Sequence, residues 1–462
     1  MLFQFDFDAI LKRALKSGGE FADLFFEATD SLSITSENKK IENAISGVDT
    51  GVGIRMIHKH KVSYGYTNDL TEEGIYRLAD DVSNAVQEGG NNCIINRLTR
   101  MDPPVKFKIE KKPSLYNTKE KVEFVKRAED KAWSASDYIK QVRVTYSDST
   151  RTILSVNSHG ELCEDERLQT LFFVQVVAMK DGVIQAGYEP IGGIIGLELF
   201  SQTSPETVAE IASKRAVMML TAGRINGGAM PVVLASSAGG TMIHEAIGHG
   251  LEADLAQQGL SVYSKRLGDM VASPLINVVD DSTMENKRGS FVFDDEGIPS
   301  QRTILVENGK LVSYMYDRLT AAKDKKSSTG NGRRQSYKHK PIPRMSNTLI
   351  LPGTTPPDEI VQSIHKGLLV MKMGGGQVNT VNGDFVFEVA EGYIIENGKV
   401  CEPIKGATLT GNGPEILKNI DMVGNDLGFS IGTCGKDDQG VPVADGQPTL
   451  RIPSIVVGGK VE

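Results

Sequence analysis

The sequence predicts an α+β fold, with an N-terminal α+β region to about residue 220 and a β-rich C-terminal region in which one helix carries a His-Glu-x-x-x-His pattern. Three observations carry that prediction. In the first half, capped amphipathic helices alternate with strands of polar alternation. The chain changes character at TAGRINGG, residues 221–228, and becomes rich in glycine and strand formers beyond it. There a short apolar strand passes through a small-residue turn into a helical stretch holding His244, Glu245 and His249.

The elements follow in order. Residues 7–16 form an amphipathic helix that stops at Gly18-Gly19, a glycine C-cap signal. Strands at 23–36, 40–44 and 51–57 read as a meander. A second helix, residues 71–88, opens on a Thr cap with acidic residues behind it and closes at Gly89-Gly90. Residues 101–117, with Pro103-Pro104, Pro113 and many lysines, read as a linker or exposed edge that could subdivide the N-terminal region. Helices at 118–138 and 204–220 enclose a second meander at 141–147, 151–157 and 169–179. Its turns are Ser158-His159-Gly160 and Lys180-Asp181-Gly182. In the second half, residues 304–312 and 394–401 are hairpins on Asn-Gly turns. Residues 356–373 open on Pro-Pro-Asp-Glu, stop at Gly374-Gly375-Gly376 and read as the last long helix.

Composition narrows the function classes. At 462 residues the chain has room for two large domains or three ordinary ones. A hydrophobic fraction of 40% and a charged fraction of 24% are those of a globular protein with a sizeable core. The 51 Lys+Arg against 59 Asp+Glu leave a net charge of −8, which argues against direct, sequence-independent nucleic-acid binding. No apolar run approaches the ~18 residues of a membrane span. Asp6 and Asp8 interrupt the apolar start and no basic leader precedes it, unlike a signal peptide. The cysteines Cys93, Cys163, Cys401 and Cys434 are far apart and form no CxxC, so reduced thiols in a cytoplasmic setting are expected.

The chemistry sits in PVVLASSAGGTMIHEAIGHGLEAD, residues 231–254. Two imidazoles and an adjacent carboxylate are what a hydrolytic metal site needs: the imidazoles hold the ion, and the carboxylate takes a proton from water. The spacing is unusual. His244 and His249 stand at i and i+5, about 140° apart on a regular helix at ~100° per residue. They meet only if the helix widens into a π-turn, or if it ends and His249 sits in the turn. Gly248 is where such strain is tolerated. A catalytic zinc needs a third protein ligand. His58, His60, His159 and His365 read as structural or solvated, whereas Cys434, between Thr433 and Gly435, is either a ligand or a free loop cysteine. Glu252 and Asp254 follow the second His and read either as partners that orient the imidazoles or as a solvated helix end.

Three runs, HEAIGHGLEAD (244–254), TGNGRRQSYKHKPIPRMSNT (329–348) and GTCGKDDQGVPVADGQPTLRI (432–452), resemble the TldD branch of the TldD/PmbA family, once called modulators of DNA gyrase. The resemblance is strong over the second half and weaker over ADLFFE, IENA and GVGIRM near the N-terminus. It implies a zinc metallopeptidase domain over residues 221–462. His244, His249 and Cys434 would be the ligands of one divalent ion, and Glu245 the general base. The PmbA (TldE) branch lacks the metal motif, which is intact here. Zinc suits two imidazoles and a thiolate best, with iron or another divalent ion as alternatives. The resemblance also implies peptide substrates that are unfolded or flexible, and a dimer, either with itself or with a PmbA/TldE-type paralogue.

Between Lys323 and Arg344 lie eight Lys/Arg and one acidic residue. The run reads either as a solvated loop or as a flap whose Arg333, Arg334, Tyr337 and His339 contact a peptide carboxylate or the transition state. Gly428-Phe429-Ser430-Ile431-Gly432 matches a nucleophile elbow, but that triad needs a later His and none follows His365. No phosphate-binding G-x-x-x-x-G-K-[ST] occurs. The rival to a peptidase is a non-catalytic peptide-binding or scaffold protein with a structural metal. Structural zinc fills four protein positions, and only three credible ligands are visible.

Overall fold

The computed structural model describes residues 3–85 and 95–459. The predicted end of the second helix, its Gly89-Gly90 stop and Cys93 lie outside the described residues. The fold is mixed α+β, as the sequence predicts. The N-terminal region is built on one seven-stranded, mostly antiparallel sheet. Its central strands are long: Phe21–Glu37, Lys40–His58, Ile139–Asn157 and Glu161–Lys180. At about 3.3 Å per residue, the 17 residues of the first span close to ~56 Å, so Phe21–Glu37, Ile139–Asn157 and Glu161–Lys180 each run under two separate helix layers, whereas residues 40–49 of the other long strand are exposed. The helices Phe7–Leu15 and Glu72–Asn84 cover one end, packing on Leu24, Phe26, Val52 and Ile54. Thr118–Trp133 and Pro205–Thr221 cover the other, on Val142, Val144, Phe172 and Val174. Their caps are those the sequence suggests: Thr71 Oγ1 accepts from Gly74 N–H, and Ser204 Oγ accepts from Thr207 N–H. The two predicted meanders are less broken than expected, because 40–58 and 139–157 each form a single strand.

The C-terminal region contains a closed ring of five strands: Lys366–Val378, Gly228–Leu234, Leu450–Gly458, Thr408–Asn412 and Asp384–Glu396, the last pairing back onto the first. Beside it lies a six-stranded sheet that ends in the hairpin Gly428–Lys436 and Gln439–Gln447. Both Asn-Gly hairpins form, with Asn308 and Gly309 at φ 49° and 78°, and Asn397 and Gly398 at φ 53° and 75°.

One element differs. The predicted long helix at 356–373 is a short helix, Pro357–Gln362, followed by the barrel strand Lys366–Val378. Leu368, Leu369 and Val370 pair in parallel with Val232, Val233 and Leu234 and are buried. The glycine run is no helix stop either. A Cβ on Gly376 would stand 1.9 Å from the Phe387 ring, so glycine serves a close approach between strands.

Candidate metal centre

The strand Gly228–Leu234 leaves the barrel through a single 3-10 turn, Ser236–Ala238, and reverses at Gly239 with φ 70°. A Cβ on Gly240 would lie 2.5 Å from the backbone of Asp445 and Gly446. Only glycine lets the next helical segment start directly against the hairpin strand Gln439–Gln447. That segment changes pitch twice: an α-turn over Thr241–Ile243, a π-turn over His244–Gly248, then a 3-10 turn over His249–Leu251. In the π-turn the backbone N–H of His249 donates to the carbonyl of His244, an i→i+5 bond. The wider turn swings the two imidazoles together, with ring centroids 4.9 Å apart and planes nearly perpendicular at 89°. Tyr263 braces the turn by donating its hydroxyl to the carbonyl of Ala246 at 3.0 Å. Met242, Ile243 and Ile247 face the barrel core with Phe385 and Phe387, so apolar burial anchors the segment.

The hairpin supplies the rest of the cluster. Cys434 Sγ lies 3.4 Å from His249 Nε2, and the donor atoms of His244, His249 and Cys434 all fall within 4.8 Å of one another. Each imidazole is held from behind by a carboxylate. Asp445 Oδ1 is 2.7 Å from His244 Nδ1, and Glu252 Oε2 is 3.0 Å from His249 Nδ1. Those contacts hold a proton on Nδ1, so Nε2 is the atom that could face an ion once its own proton leaves.

The electrostatics couple the three groups. Burial opposes charge on all three groups, and their mutual interactions overcome it. Cys434 falls to about 6 because both imidazoles stabilise the thiolate. His249 rises to about 10 through the charge of Glu252 and the bond to Cys434, and His244 rises well above its usual value through Asp445. A divalent ion would have to displace the protons that the two imidazoles hold beside the thiolate. Glu252 is itself fully buried and held down to about 2: burial works against its charge, and Lys436, His249 and Arg344 outweigh it.

His244, Glu245 and Cys434 open onto a cavity of about 270 Å³. Its other walls include Tyr188 and Glu189 of the N-terminal sheet, Lys372 of the barrel and Phe429 of the hairpin. Glu245 is half-buried there, beside the donor cluster. The arrangement is three convergent side chains that could hold a metal ion, with a half-buried carboxylate beside them in the cavity wall.

Models of the PmbA/TldA metallopeptidase match along the chain: domain 1 over residues 22–86, the central domain over 111–220 and the C-terminal domain over 227–459. A metalloprotease TldD homolog from Haemophilus influenzae is 36% identical, over 95% of this chain and 93% of its own length. The chain belongs to the PmbA/TldD metallopeptidase family. It is a peptidase, a hydrolase of peptide bonds. A zinc metalloprotease TldD homolog from Saccharolobus solfataricus is 30% identical, over 98% of this chain and 99% of its own length. Among solved structures, a Thermotoga maritima protein described as a modulator of a DNA gyrase superposes with a TM-score of 0.81 at 21% identity. It covers 98% of this chain and 99% of its own. TldE from Thermococcus kodakarensis superposes with a TM-score of 0.73 at 17% identity, over 98% and 100% of the two chains. At such identities these likenesses concern the fold.

In this family member the second motif does not form a flap over the cleft. Arg333 is buried and donates to the carbonyls of Met345 and Pro442. Arg334 is buried against Asp295 and Tyr64. Tyr337 packs into the N-terminal sheet with its hydroxyl 2.9 Å from Asp49. His339 Nδ1 lies 3.2 Å from Ser336 Oγ. None of the four lines the cavity at Glu245, because each is committed to the junction between the two regions. Asp254 also departs from the expected role: its carboxylate binds Lys436 Nζ at 2.7 Å rather than an imidazole. The residue that does hold His244, Asp445, stands in a strand 201 positions away. Only its place in the third motif marked that segment, and nothing local distinguishes it from a solvated aspartate.

Proposed function

We propose that this chain is a zinc-dependent peptidase that cleaves unfolded or flexible peptides, with His244, His249 and Cys434 as metal ligands and Glu245 as general base. The observation that carries this reading is the convergence of three donor atoms within 4.8 Å at the wall of an open cavity that Glu245 also lines. When bound, the ion would polarise a peptide carbonyl and bring a water within reach of deprotonation near neutral pH. Asp445 and Glu252 hold the imidazoles in the tautomer that coordinates. Glu245 takes the proton from the attacking water and returns it to the leaving amine. Among the described residues no fourth side chain joins the ligand group, which favours a catalytic over a structural metal.

The hairpin supports this substrate form. Gly428–Lys436 is the edge strand of its sheet and contributes Phe429 through Cys434 to the cavity wall. An extended peptide can pair with that edge through main-chain bonds that tolerate varied side chains. A folded protein cannot present such a strand. The test is cleavage of one protein in two forms, disulfide-intact and reduced with alkylated thiols. Cleavage of the unfolded form alone supports the reading, and equal cleavage of both refutes it.

The proposal includes a dimer, with itself or with a PmbA/TldE-type partner. Ile45 and Val48, 64% and 72% exposed on the strand Lys40–His58, support a contact there. Light scattering of the chain alone and with such a partner distinguishes the two pairings, and a monomer in both samples contradicts them.

A further inference from the structure

We propose a second, non-catalytic binding site at the junction of the N-terminal sheet and the C-terminal region, which takes a small oxyanion, carboxylate or phosphate, on Arg333. The inference does not depend on the proposed function. A cavity of about 360 Å³ lies there, with Arg151, Arg167, Arg333, Arg334 and His339 among its lining residues. It shares no lining residue with the cavity at Glu245. The two sit at one hairpin: Pro442 lines this cavity, and its cross-strand partner Thr433 lines the other.

Three of the four arginines are answered by carboxylates. Arg151 is paired with Glu27 at 2.9 Å. Arg167 is paired with Asp165 and Asp295, both at 2.8 Å. Arg334 lies 4.0 Å from Asp23. Arg333 differs. It is 3% exposed, and its two Nη groups donate only to the carbonyls of Met345 and Pro442, at 2.5 and 2.8 Å. Its Nε has no hydrogen-bond partner among the described residues, nor does that of Arg334. The Phe291 ring, 5.3 Å from the Arg333 guanidinium, offsets part of the charge but gives Nε no acceptor.

Asp295 and Asp280 offset part of the Arg333 charge from a distance, but no described carboxylate bonds it, and a buried guanidinium without a direct ion pair is unfavourable unless something completes it. Burial pulls Arg333 down to about 9, which still leaves it protonated at neutral pH. Carboxylate and phosphate match the planar donor fork of arginine. The volume admits inorganic phosphate or the last residues of a peptide, and excludes a folded partner. Two sources therefore share one chemistry: a free phosphate compound, or the terminal carboxylate of a peptide.

The test uses metal-loaded full-length protein in phosphate-free buffer. Calorimetric titrations are run with inorganic phosphate, with N-acetyl-dialanine and with its C-terminal amide. The expected result is saturable binding of one equivalent of phosphate or of the free-acid peptide, with no binding of the amide. Phosphate alone binding assigns the phosphate source, and the free acid binding assigns the peptide terminus. Arg333→Gln should weaken that binding at least tenfold. Should that variant fail to fold, hydrogen exchange on the wild type decides: the anion should slow exchange at residues 333–339. Absence of saturable binding by either anion overturns the proposal. So does wild-type affinity in Arg333→Gln, slowing confined to residues 428–436, or binding that disappears when the metal is removed.

Discussion

Asp445 Oδ1 stands 2.7 Å from His244 Nδ1, and the carbonyl of the same Asp445 accepts from Gly240 N–H at 3.0 Å. One residue of the hairpin thus fixes both the start of the helical segment and the orientation of its first imidazole. Replacing the carboxylate by an amide keeps an acceptor and removes the charge. Asp445→Asn should therefore weaken metal affinity by about 10–100-fold while the chain stays folded. Competition against a chelator of known affinity reads this directly, and unchanged affinity would remove Asp445 from the site.

Glu245 faces the cavity without being one of the three convergent donors. Glu245→Gln should bind metal as the wild type does and lose about 10²–10⁴-fold in kcat. Metal content and peptide cleavage measured on the same preparation separate this outcome from loss of the ion.

Gly240 and Gly435 make a matched pair of substitutions. A Cβ on Gly240 meets the backbone of Asp445 and Gly446 at 2.5 Å, whereas one on Gly435, beside Cys434, meets nothing within 4 Å. Gly240→Ala should cost about 1–3 kcal/mol through overpacking and lower metal affinity, because the strand with Asp445 must move. Gly435→Ala should leave metal affinity unchanged. Thermal melts and metal binding on both variants check the contrast, and equal effects would contradict it.

The junction gives stability a pH dependence. Burial, reinforced by the charge of Glu296, pushes Asp294 up to about 8 and raises Asp317 as well. Asp295 goes the other way, to about 2: burial opposes its charge, and Arg167, Arg151 and Arg334 outweigh that. A carboxyl with a raised folded pKa favours folding most while protonated in both states. Its contribution is lost as pH rises from the unfolded value of ~4 toward 8. The contribution of Asp295 is complete above ~4 and fades as pH falls toward 2. Asp294→Asn should flatten the decline in melting temperature between pH 5 and pH 8. A variant with the wild-type slope would show that Asp294 does not titrate in that window.

Local signals were legible where local physics decides. The caps at Thr71 and Ser204 and the left-handed turns at Asn308-Gly309 and Asn397-Gly398 form where the sequence predicts them. Residues 356–373 misled because a short apolar run has no period that separates a helix from a buried strand, and Pro-Pro-Asp-Glu does start a helix. Pairing with Val232–Leu234, more than a hundred residues earlier, decides the outcome. At the site, His244 and His249 announce themselves by type and spacing, but the partner Asp445 is visible only in the fold. The basic run at 323–344 looked solvated or mobile because composition does not show burial. Its arginines are held by the backbone carbonyls of Asp295, Met345 and Pro442.

The central claim is that His244, His249 and Cys434 jointly hold one catalytic ion. The most direct test measures metal content and unstructured-peptide cleavage together in the wild type, the chelator-stripped protein, His244→Ala and Cys434→Ala. The account predicts one equivalent of divalent metal in the wild type alone, zinc being the expected ion. Cleavage should be lost in the other three and restored by metal only in the stripped wild type. Cleavage at the wild-type rate by the metal-stripped protein would contradict it.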